Sequence, residues 1–272
     1  MDDLPGRARP DLARTWGVEV ERVVARGRAV LSFGRRSGQP VVLKVTSSEG
    51  AEAREGEVLA AFAGRGAVRV FAHSPGAVLM ERACPGSALL DLVHAGRDEE
   101  ATAILARTLA WMRPEAAPPG LPTVESLGAD LASGGPVPGD LLHAARAAHA
   151  TLCASQGEVR LLHGDLHHEN LLFDRARGWL AVDPKGVVGE LAYEAGAFLR
   201  NPWGQPDLFA DPVRLRARLA ILERTLPLDL ARVRSWAFVQ AVLAGVWAAE
   251  DGLPDAEIAG CLALARRLQE TP

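Results

Sequence analysis

The pattern of apolar residues changes near Cys84, and this change constrains the fold more than any other feature of the sequence. Before that point, β-branched runs such as VVLKV (residues 41–45) alternate with glycine-containing turns, and RRSGQP (35–40) has the composition of a hairpin tip. One segment, AEAREGEVLAAFAGRGA (51–67), has apolar residues at helical spacing, and two more short strands follow it. The order strand, strand, strand, helix, strand, strand predicts a small α+β layer.

Beyond Cys84, the spacing of apolar residues becomes typical of helices. Apolar residues recur every three or four positions within 98–113 and again within 258–268, as on the buried face of a helix. Between these segments, LLF, the turn DRARG and WLAVD (171–183) predict a hairpin of two short strands. The 272 residues suffice for one or two domains with a real core. We therefore expect a small strand-rich unit over residues 1–83 and a larger, mainly helical unit over 84–272.

Composition and charge argue against several kinds of partner. A net charge of -4 offers no basic surface for a phosphate backbone, so we expect no nucleic-acid partner; a mildly acidic protein better suits a cationic small molecule. The first ten residues carry acids where a signal peptide has a basic segment, and no apolar run approaches the roughly 18 residues of a membrane helix. Three widely spaced cysteines without a CxxC pair indicate free thiols. These features predict a cytoplasmic protein without a membrane partner.

Lysine is almost absent from the chain, although basic residues are common. Of the 30 lysine and arginine residues, only Lys44 and Lys185 are lysines. A compact ammonium group and a planar guanidinium are not interchangeable in a tight site, so both lysines are candidate functional residues. Lys44 is also the one charge in a predicted buried strand. Chance would explain either lysine taken alone.

The segment LLHGDLHHENLLFD concentrates histidines, acids and an asparagine between two apolar runs. Asp165 and Asn170 fall in a predicted loop, and Asp183 ends the second strand of the hairpin. Such carboxylate and amide oxygens are ligands that Mg²⁺ accepts together with nucleotide phosphates, and Asp165 could then take a proton from a substrate hydroxyl. His163 and His167 have the spacing of zinc ligands on a helix, but a glycine and an aspartate interrupt that helix. We expect His163 to pack beneath the loop instead.

HGDLHHEN, the hairpin that follows it, WLAVDPKG and the upstream VVLKV together resemble the protein-kinase-like fold in its aminoglycoside phosphotransferase branch. Extended through AYEAGAFLRNP, the string is similar to the group of streptomycin 6-phosphotransferases and hydroxyurea phosphotransferases. The resemblance covers about residues 20–250. It implies a bilobal α+β fold with a small, mostly antiparallel β N-lobe carrying one main helix, a hinge near residues 81–85, and a larger, mainly helical C-lobe.

The resemblance also implies roles for residues at the motif positions of the family. Asp165 corresponds to the catalytic aspartate that orients the acceptor hydroxyl, and Asn170 and Asp183 correspond to the metal ligands. Lys44 corresponds to the strand lysine that contacts the nucleotide phosphates, and Glu55 on the next helix is its expected partner. The other nucleotide-binding candidates are a loop glycine, two hinge residues and the second lysine: Gly27, Glu81, Ala83 and Lys185.

Several positions depart from the family pattern or leave alternatives open. ARGRAVLSFG contains no GxGxxG, so the phosphate loop is placed near Arg26–Ala29, and His168 stands where many relatives have proline. Glu52 and Glu57 are alternative partners for the strand lysine. Acids and aromatic residues that could surround a cationic acceptor are Glu190, Tyr193, Glu194, Trp203, Glu250 and Asp251. An exposed helix face would explain each of these acids equally well.

The sequence therefore predicts an ATP- and Mg²⁺-dependent O-phosphotransferase that acts on a small-molecule hydroxyl, as a monomer or homodimer. A streptomycin-like aminoglycoside is the favoured acceptor; hydroxyurea or another small metabolite is the alternative, and another nucleoside triphosphate could replace ATP. A metal-dependent hydrolase would use His163, His167 and Asp165 as ligands, but it leaves Lys44 and Asp183 without a role. A nucleotide-binding protein without activity would keep the fold, although the motif residues for catalysis are all present.

Overall fold

The computed structural model describes residues 9–270. In its N-terminal part, five strands form one antiparallel sheet in the order β1-β2-β3-β5-β4. Their bounds are Glu19–Arg26 (β1), Ala29–Arg36 (β2), Gln39–Val45 (β3), Val70–Ser74 (β4) and Ala77–Glu81 (β5). Helix α1 (Pro10–Thr15) precedes the sheet, and α2 (Glu55–Ala61) lies between β3 and β4 after a 3₁₀ turn at Ala51–Arg54. The predicted order of strands and helix is confirmed, with α1 as an addition.

Strand β3 lies at the centre of this sheet and presents Lys44. Both of its edges are paired, with β2 and β5, and all five residues from Val41 to Val45 are buried. Side chains alternate between the two faces of a strand. Val41 and Leu43 therefore pack on one face with Leu79, while Val42 joins the main core on the face that α2 covers. Lys44 shares that second face with Val42, which directs its ammonium group toward α2.

The rest of the chain is mainly helical. Its longer helices are α4 (Asp98–Trp111), α6 (Gly139–Ala154), α7 (Leu191–Leu199), α9 (Pro212–Thr225), α10 (Leu230–Glu250) and α11 (Asp255–Glu270). Its shorter ones are α3 (Leu90–His94), α5 (Val124–Leu127), α8 (Pro206–Phe209) and a 3₁₀ turn at Gly128–Ala132. Helix α10 is central, because α6, α7 and α11 all pack against it. The two predicted apolar stripes fall on α4 and α11 and are confirmed. Within residues 9–270, no helix combines the length and apolarity of a membrane span.

Two small antiparallel sheets lie within this helical part and position its loops. One sheet contains β6 (Pro85–Ala88), β8 (Leu171–Asp174) and β9 (Gly178–Ala181), and the other pairs β7 (Val159–Leu162) with β10 (Val187–Glu190). The predicted hairpin is confirmed as β8 and β9, and β6 adds a third strand to it. Loop 163–170 joins β7 to β8, and Asp183 lies between β9 and β10. Because β7 pairs with β10 and β8 pairs with β9, the two sheets bring loop 163–170 close to the segment that contains Asp183.

Candidate active site

A cavity of about 580 Å³ lies between the five-stranded sheet and loop 163–170, and it is called the cleft below. The sheet side of the cleft is lined from β1, β2 and β3; the loop side is lined from loop 163–170 and from the segment between β9 and β10. Charged side chains line it together with apolar ones, among them Leu31, Phe33, Val42, Val68, Met80 and Leu172. A nucleotide needs this mixture, because its base is flat and largely apolar whereas its phosphates are charged.

The cleft contains an ion-paired lysine that spans its two sides. The Nζ atom of Lys44 lies 2.7 Å from Oε2 of Glu55 and 2.8 Å from Oδ1 of Asp183. Burial alone would lower the pKa of Lys44, but the two carboxylates outweigh it and raise that pKa. Burial raises the pKa of Glu55 to about 7 despite the lysine. Of the two alternative partners, Glu57 pairs with Arg54 instead, and Glu52 lines the cleft without an ion pair to Lys44.

The carboxylate of Asp165 is held by an arginine from another element. Oδ1 of Asp165 lies 3.1 Å from Nη2 of Arg200, which follows the last residue of α7. Burial alone would raise the pKa of Asp165, but Arg200 is the strongest of several cationic influences that lower it. The carboxylate is therefore ionised at neutral pH. Arg200 is not among the predicted site residues; its only sequence signal is its place in AYEAGAFLRNP.

The backbone of loop 163–170 is fixed by a buried carboxylate. Glu194 accepts hydrogen bonds from the backbone N–H groups of His163, at 2.7 Å, and Gly164, at 2.9 Å. The prediction that Glu194 binds an acceptor is wrong, because α7 turns this side chain into the core, where it is 2% exposed. Burial raises the pKa of Glu194 to about 7, against the effect of these backbone donors. Gly164 has φ +81°, and a Cβ there would lie 2.8 Å from the side chain of Val187.

His163 packs beneath the loop and cannot serve as a metal ligand. Its Nε2 atom bonds the carbonyl of Val182 at 2.9 Å, and its Nδ1 atom accepts the backbone N–H of Asp165 at 3.3 Å. Burial lowers the pKa of His163 to about 4, so the ring is neutral. Both ring nitrogens are thus engaged within the protein. This arrangement removes one of the three ligands that the hydrolase alternative requires.

The oxygen atoms near Asn170 and Asp183 fit a divalent cation. The amide nitrogen of Asn170 donates to the carbonyl of Asp165 at 2.9 Å, which leaves its amide oxygen free of that contact. Asp183 has φ +59°, and its side chain remains about half exposed although Oδ1 contacts Lys44. Burial alone would raise the pKa of Asp183, but Lys44 lowers it. Hard oxygen donors of this kind are what Mg²⁺ selects.

The other predicted nucleotide-binding residues lie around the same cleft. Gly27 belongs to a two-residue turn between β1 and β2, where φ +57° favours glycine. At the hinge, Oε1 of Glu81 accepts the backbone N–H of Arg69 and pairs with Arg177, and the backbone N–H of Glu81 donates to the carbonyl of Arg69. Ala83 and Lys185 also line the cleft.

The predicted acceptor-site residues separate into buried and accessible ones. Glu190 is wrongly predicted: it is 5% exposed and accepts hydrogen bonds from Arg232, at 2.5 Å, and from the indole of Trp236. Tyr193 is 3% exposed and packs edge-on against the same tryptophan, which also places it in the core. The residues that remain at least partly accessible are Trp203, Glu250 and Asp251.

A second buried network supports loop 163–170 from below. Arg218 is 1% exposed and forms two hydrogen bonds to Asp98, at 2.6 and 3.0 Å. It also lies 3.4 Å from Nε2 of His168, whose ring packs against Phe198. Burial and then Arg218 lower the pKa of His168 well below its ordinary value. The histidine that replaces the usual proline is therefore a neutral packing residue.

These features define a class of enzyme. A strand lysine pairs with a helix glutamate and with Asp183 in a cleft of nucleotide size. Asn170 also lines this cleft and bonds the backbone of Asp165 on the same loop. This is the arrangement of a phosphotransferase with the protein-kinase-like fold. The chain belongs to the aminoglycoside/hydroxyurea antibiotic resistance kinase family, whose model matches residues 15–252.

Individual relatives agree with this assignment. The chain is 37% identical over 224 residues to a streptomycin 3''-kinase of Klebsiella pneumoniae, covering 80% of this chain and 83% of that protein. It is 32% identical over 276 residues to a hydroxyurea phosphotransferase of Kitasatospora aureofaciens, covering 95% and 78%. A thermostable mutant of the aminoglycoside phosphotransferase APH(4)-Ia, solved with ADP and hygromycin B, has a similar fold, with a TM-score of 0.64 at 18% identity over 95% of this chain and 97% of that one. The predicted family, the bilobal α+β fold and the phosphotransferase activity are confirmed.

Proposed function

We propose that the protein phosphorylates a hydroxyl group of a streptomycin-like aminoglycoside with ATP and Mg²⁺. The observation that carries this proposal is Lys44, which lines the cleft and is held between Glu55 and Asp183, beside the loop that carries Asn170 and Asp165. The names of the relatives, a streptomycin 3''-kinase and a hydroxyurea phosphotransferase, support an antibiotic-like acceptor. In this proposal, residues 1–83 form the nucleotide-binding lobe, and residues 84–272 carry the catalytic loop, the metal site and the acceptor site.

Each charged residue in the cleft then has a task. Lys44, held between two carboxylates, contacts the α and β phosphates of the nucleotide. Asn170 and Asp183 hold Mg²⁺, which neutralises phosphate charge when bound. Asp165 orients the acceptor hydroxyl and accepts its proton at a carboxylate oxygen. Because phosphoryl transfer has a loose transition state, this positioning and charge neutralisation supply most of the catalysis.

The sheet side replaces the missing glycine-rich loop with a cation. The turn between β1 and β2 contains only Gly27 and Arg28, since Arg26 and Ala29 already pair with each other. A turn this short cannot surround the phosphates with backbone N–H groups as a longer glycine-rich loop does. Arg28 lines the cleft, as does Lys185 on the loop side, and neither forms an ion pair within residues 9–270. We assign both side chains to the phosphates, and the hinge backbone at Glu81 and Ala83 to the base.

The acceptor meets the exposed acids on the helical part of the chain. Glu250 and Asp251 lie exposed at the end of α10, and Glu250 accepts a hydrogen bond from Ser133 at 2.8 Å. Carboxylates in such positions attract ammonium or guanidinium groups at long range. Trp203, in the loop after α7, offers a partly exposed aromatic surface to the same substrate.

The test is nucleotide consumption by the purified protein with a panel of acceptors: streptomycin, a deoxystreptamine aminoglycoside and hydroxyurea. We expect turnover with streptomycin, a product heavier by one phosphoryl group in mass spectrometry, and loss of turnover after chelation of Mg²⁺. The variant Asp165→Ala should lose turnover but still bind ATP. A flat response across the panel contradicts the antibiotic acceptor, and full activity of Asp165→Ala contradicts the assigned mechanism.

A further inference from the structure

Arg200 is the cation closest to the reactive carboxylate, and the assigned mechanism gives it no role. Its Nη2 atom lies 3.1 Å from Oδ1 of Asp165, and the side chains are 14% and 21% exposed. Within residues 9–270, Asp165 has no other ion-pair partner among the lysines and arginines, and Arg200 pairs with no second acid. The Nε atom of Arg200 is buried without a hydrogen-bond partner. Among the described residues, the guanidinium of Arg200 therefore forms its one ion pair with the carboxylate of Asp165.

The segment that carries Arg200 is also held by contacts that do not involve Asp165. The next residue, Asn201, donates its amide N–H to the carbonyl of Ala197 at 2.7 Å, and its own carbonyl accepts from Arg218 at 2.8 Å. Arg218 is in turn bound twice to Asp98 on α4. Contacts with α7, α9 and α4 thus hold the residue that follows Arg200 in place.

The contact distinguishes the two oxygens of Asp165. Oδ1 faces Arg200, whereas Oδ2 is the oxygen nearer to His167, at 3.8 Å from its Nε2 atom. That distance is too long for a hydrogen bond, and His167 lines the cleft. Oδ2 is therefore the oxygen left for a hydroxyl group that enters from the cleft. A half-turn of the carboxylate would only exchange two equivalent oxygens, whereas a partial rotation would break the contact with Arg200 and move both oxygens.

We infer that Arg200 is a positioning residue for phosphoryl transfer, which holds Asp165 by Oδ1 so that Oδ2 meets the acceptor hydroxyl. This inference rests on the proposed role of Asp165. Positioning of this kind is expected to affect the turnover number more than nucleotide binding, because a displacement of about 1 Å in a reacting group can cost about 100-fold in rate. Arg200 contacts the reactive side chain and is not among the residues that line the cleft.

The experiment compares Arg200→Ala and Arg200→Lys with a matched control, Arg214→Ala. Arg214 also pairs with an aspartate at 3.1 Å, but that partner is Asp98 on α4, and neither residue lines the cleft. With ATP and streptomycin, we expect kcat of Arg200→Ala to fall about 100-fold while KM for ATP changes less than about 2-fold. Arg200→Lys should recover part of the loss. Millimolar methylguanidine should restore kcat of Arg200→Ala and leave Arg214→Ala unchanged.

Other outcomes would overturn the inference. If kcat of Arg200→Ala equalled that of the wild type, Asp165 would need no positioning partner. An equal loss in Arg214→Ala, with a matching fall in melting temperature and no rescue by methylguanidine, would assign Arg200 to stability alone. Failure of the proposed function looks different: wild-type protein then leaves streptomycin unmodified, or Asp165→Ala stays active. If the wild-type protein does not phosphorylate streptomycin, the same variants are compared by their rates of ATP hydrolysis. In that reaction Asp165 orients a water molecule instead of the acceptor hydroxyl.

Discussion

The two sides of the cleft hold their charged groups in different ways. On the sheet side, the β1–β2 turn is exposed, and Arg28 extends from it into the cleft without a carboxylate partner in the described chain. On the loop side, Asp165 lies on a backbone that Glu194 fixes by two hydrogen bonds and that His163 supports from beneath. Apart from Lys44, which two carboxylates hold, the sheet side offers loosely held positive charge, and the loop side offers a rigid geometry.

This difference divides the tasks of catalysis between the two sides. A buried polar network is costly unless every group in it is satisfied, so its presence under the loop indicates that the position of Asp165 matters. Phosphate charge, in contrast, can be balanced by flexible side chains at the surface of the cleft. We therefore expect changes on the loop side to lower kcat, and changes on the sheet side to raise KM for ATP.

The largest effect is expected from Asp165→Asn. The amide keeps the size of the carboxylate but cannot accept the proton of the acceptor hydroxyl, and loss of a positioned acid–base group costs about 10²- to 10⁴-fold. Steady-state kinetics with ATP and streptomycin should show kcat reduced about 1,000-fold, with ATP affinity unchanged in a binding titration. A large loss of ATP affinity would instead assign Asp165 to nucleotide binding. It would contradict the proposed division of tasks between the two sides of the cleft.

The next effect is expected from Glu194→Ala, with Glu190→Ala as its matched control. Both variants remove a buried glutamate, and each leaves buried donors without an acceptor, at about 1–3 kcal/mol of stability per donor. Only Glu194 contacts loop 163–170, whereas Glu190 braces Arg232 and Trp236. Both melting temperatures should fall, but only Glu194→Ala should also lose about 100-fold in kcat. If the two variants had equal kcat, loop 163–170 would hold its position without the hydrogen bonds to Glu194.

Much of this arrangement is predictable from local sequence. The β-branched, apolar run VVLKV with its single charge identifies a buried strand, and the structure places Lys44 on the face toward α2, within 2.7 Å of Glu55. The hairpin of β8 and β9 follows from two apolar runs and a turn. Asp165, Asn170 and Asp183 share the cleft region because the strands on both sides of them are short and adjacent. In each case, neighbouring residues determine where the side chain lies.

Other features depend on packing that no local pattern records. Glu190, Tyr193 and Glu194 have the composition of a cleft-facing surface, yet small neighbours such as Gly196 let α10 pack against α7 and bury this region. Those small residues were the available signal for a buried helix. Arg200 reaches Asp165 across 35 positions of sequence, through the packing of α7 beneath loop 163–170. No spacing within the chain predicts such a contact.

A smaller effect is expected from Lys44→Met on the sheet side. Methionine retains the apolar volume in the buried strand but removes the charge that contacts the phosphates. A hydrogen bond to a charged group contributes about 1.5–3 kcal/mol, which corresponds to a loss of about 10- to 100-fold in kcat/KM for ATP. The loss should appear mainly in KM for ATP, and circular dichroism should show an intact fold. A variant that loses only kcat would place Lys44 with the loop-side residues.

The smallest effect is expected from Arg28→Ala, and it tests whether the exposed turn acts through charge. A solvent-exposed ion pair contributes about 0.2–1 kcal/mol, so KM for ATP should rise only about 1.5- to 5-fold. Arg36→Ala is the control, because Arg36 lies at the opposite end of β2 and does not line the cleft. Salt screens exposed charges, and wild type should therefore approach the KM of Arg28→Ala as ionic strength rises, while Arg36→Ala follows wild type throughout. A salt-independent difference would assign Arg28 to the shape of the turn, and the sheet side would then share the rigidity of the loop side.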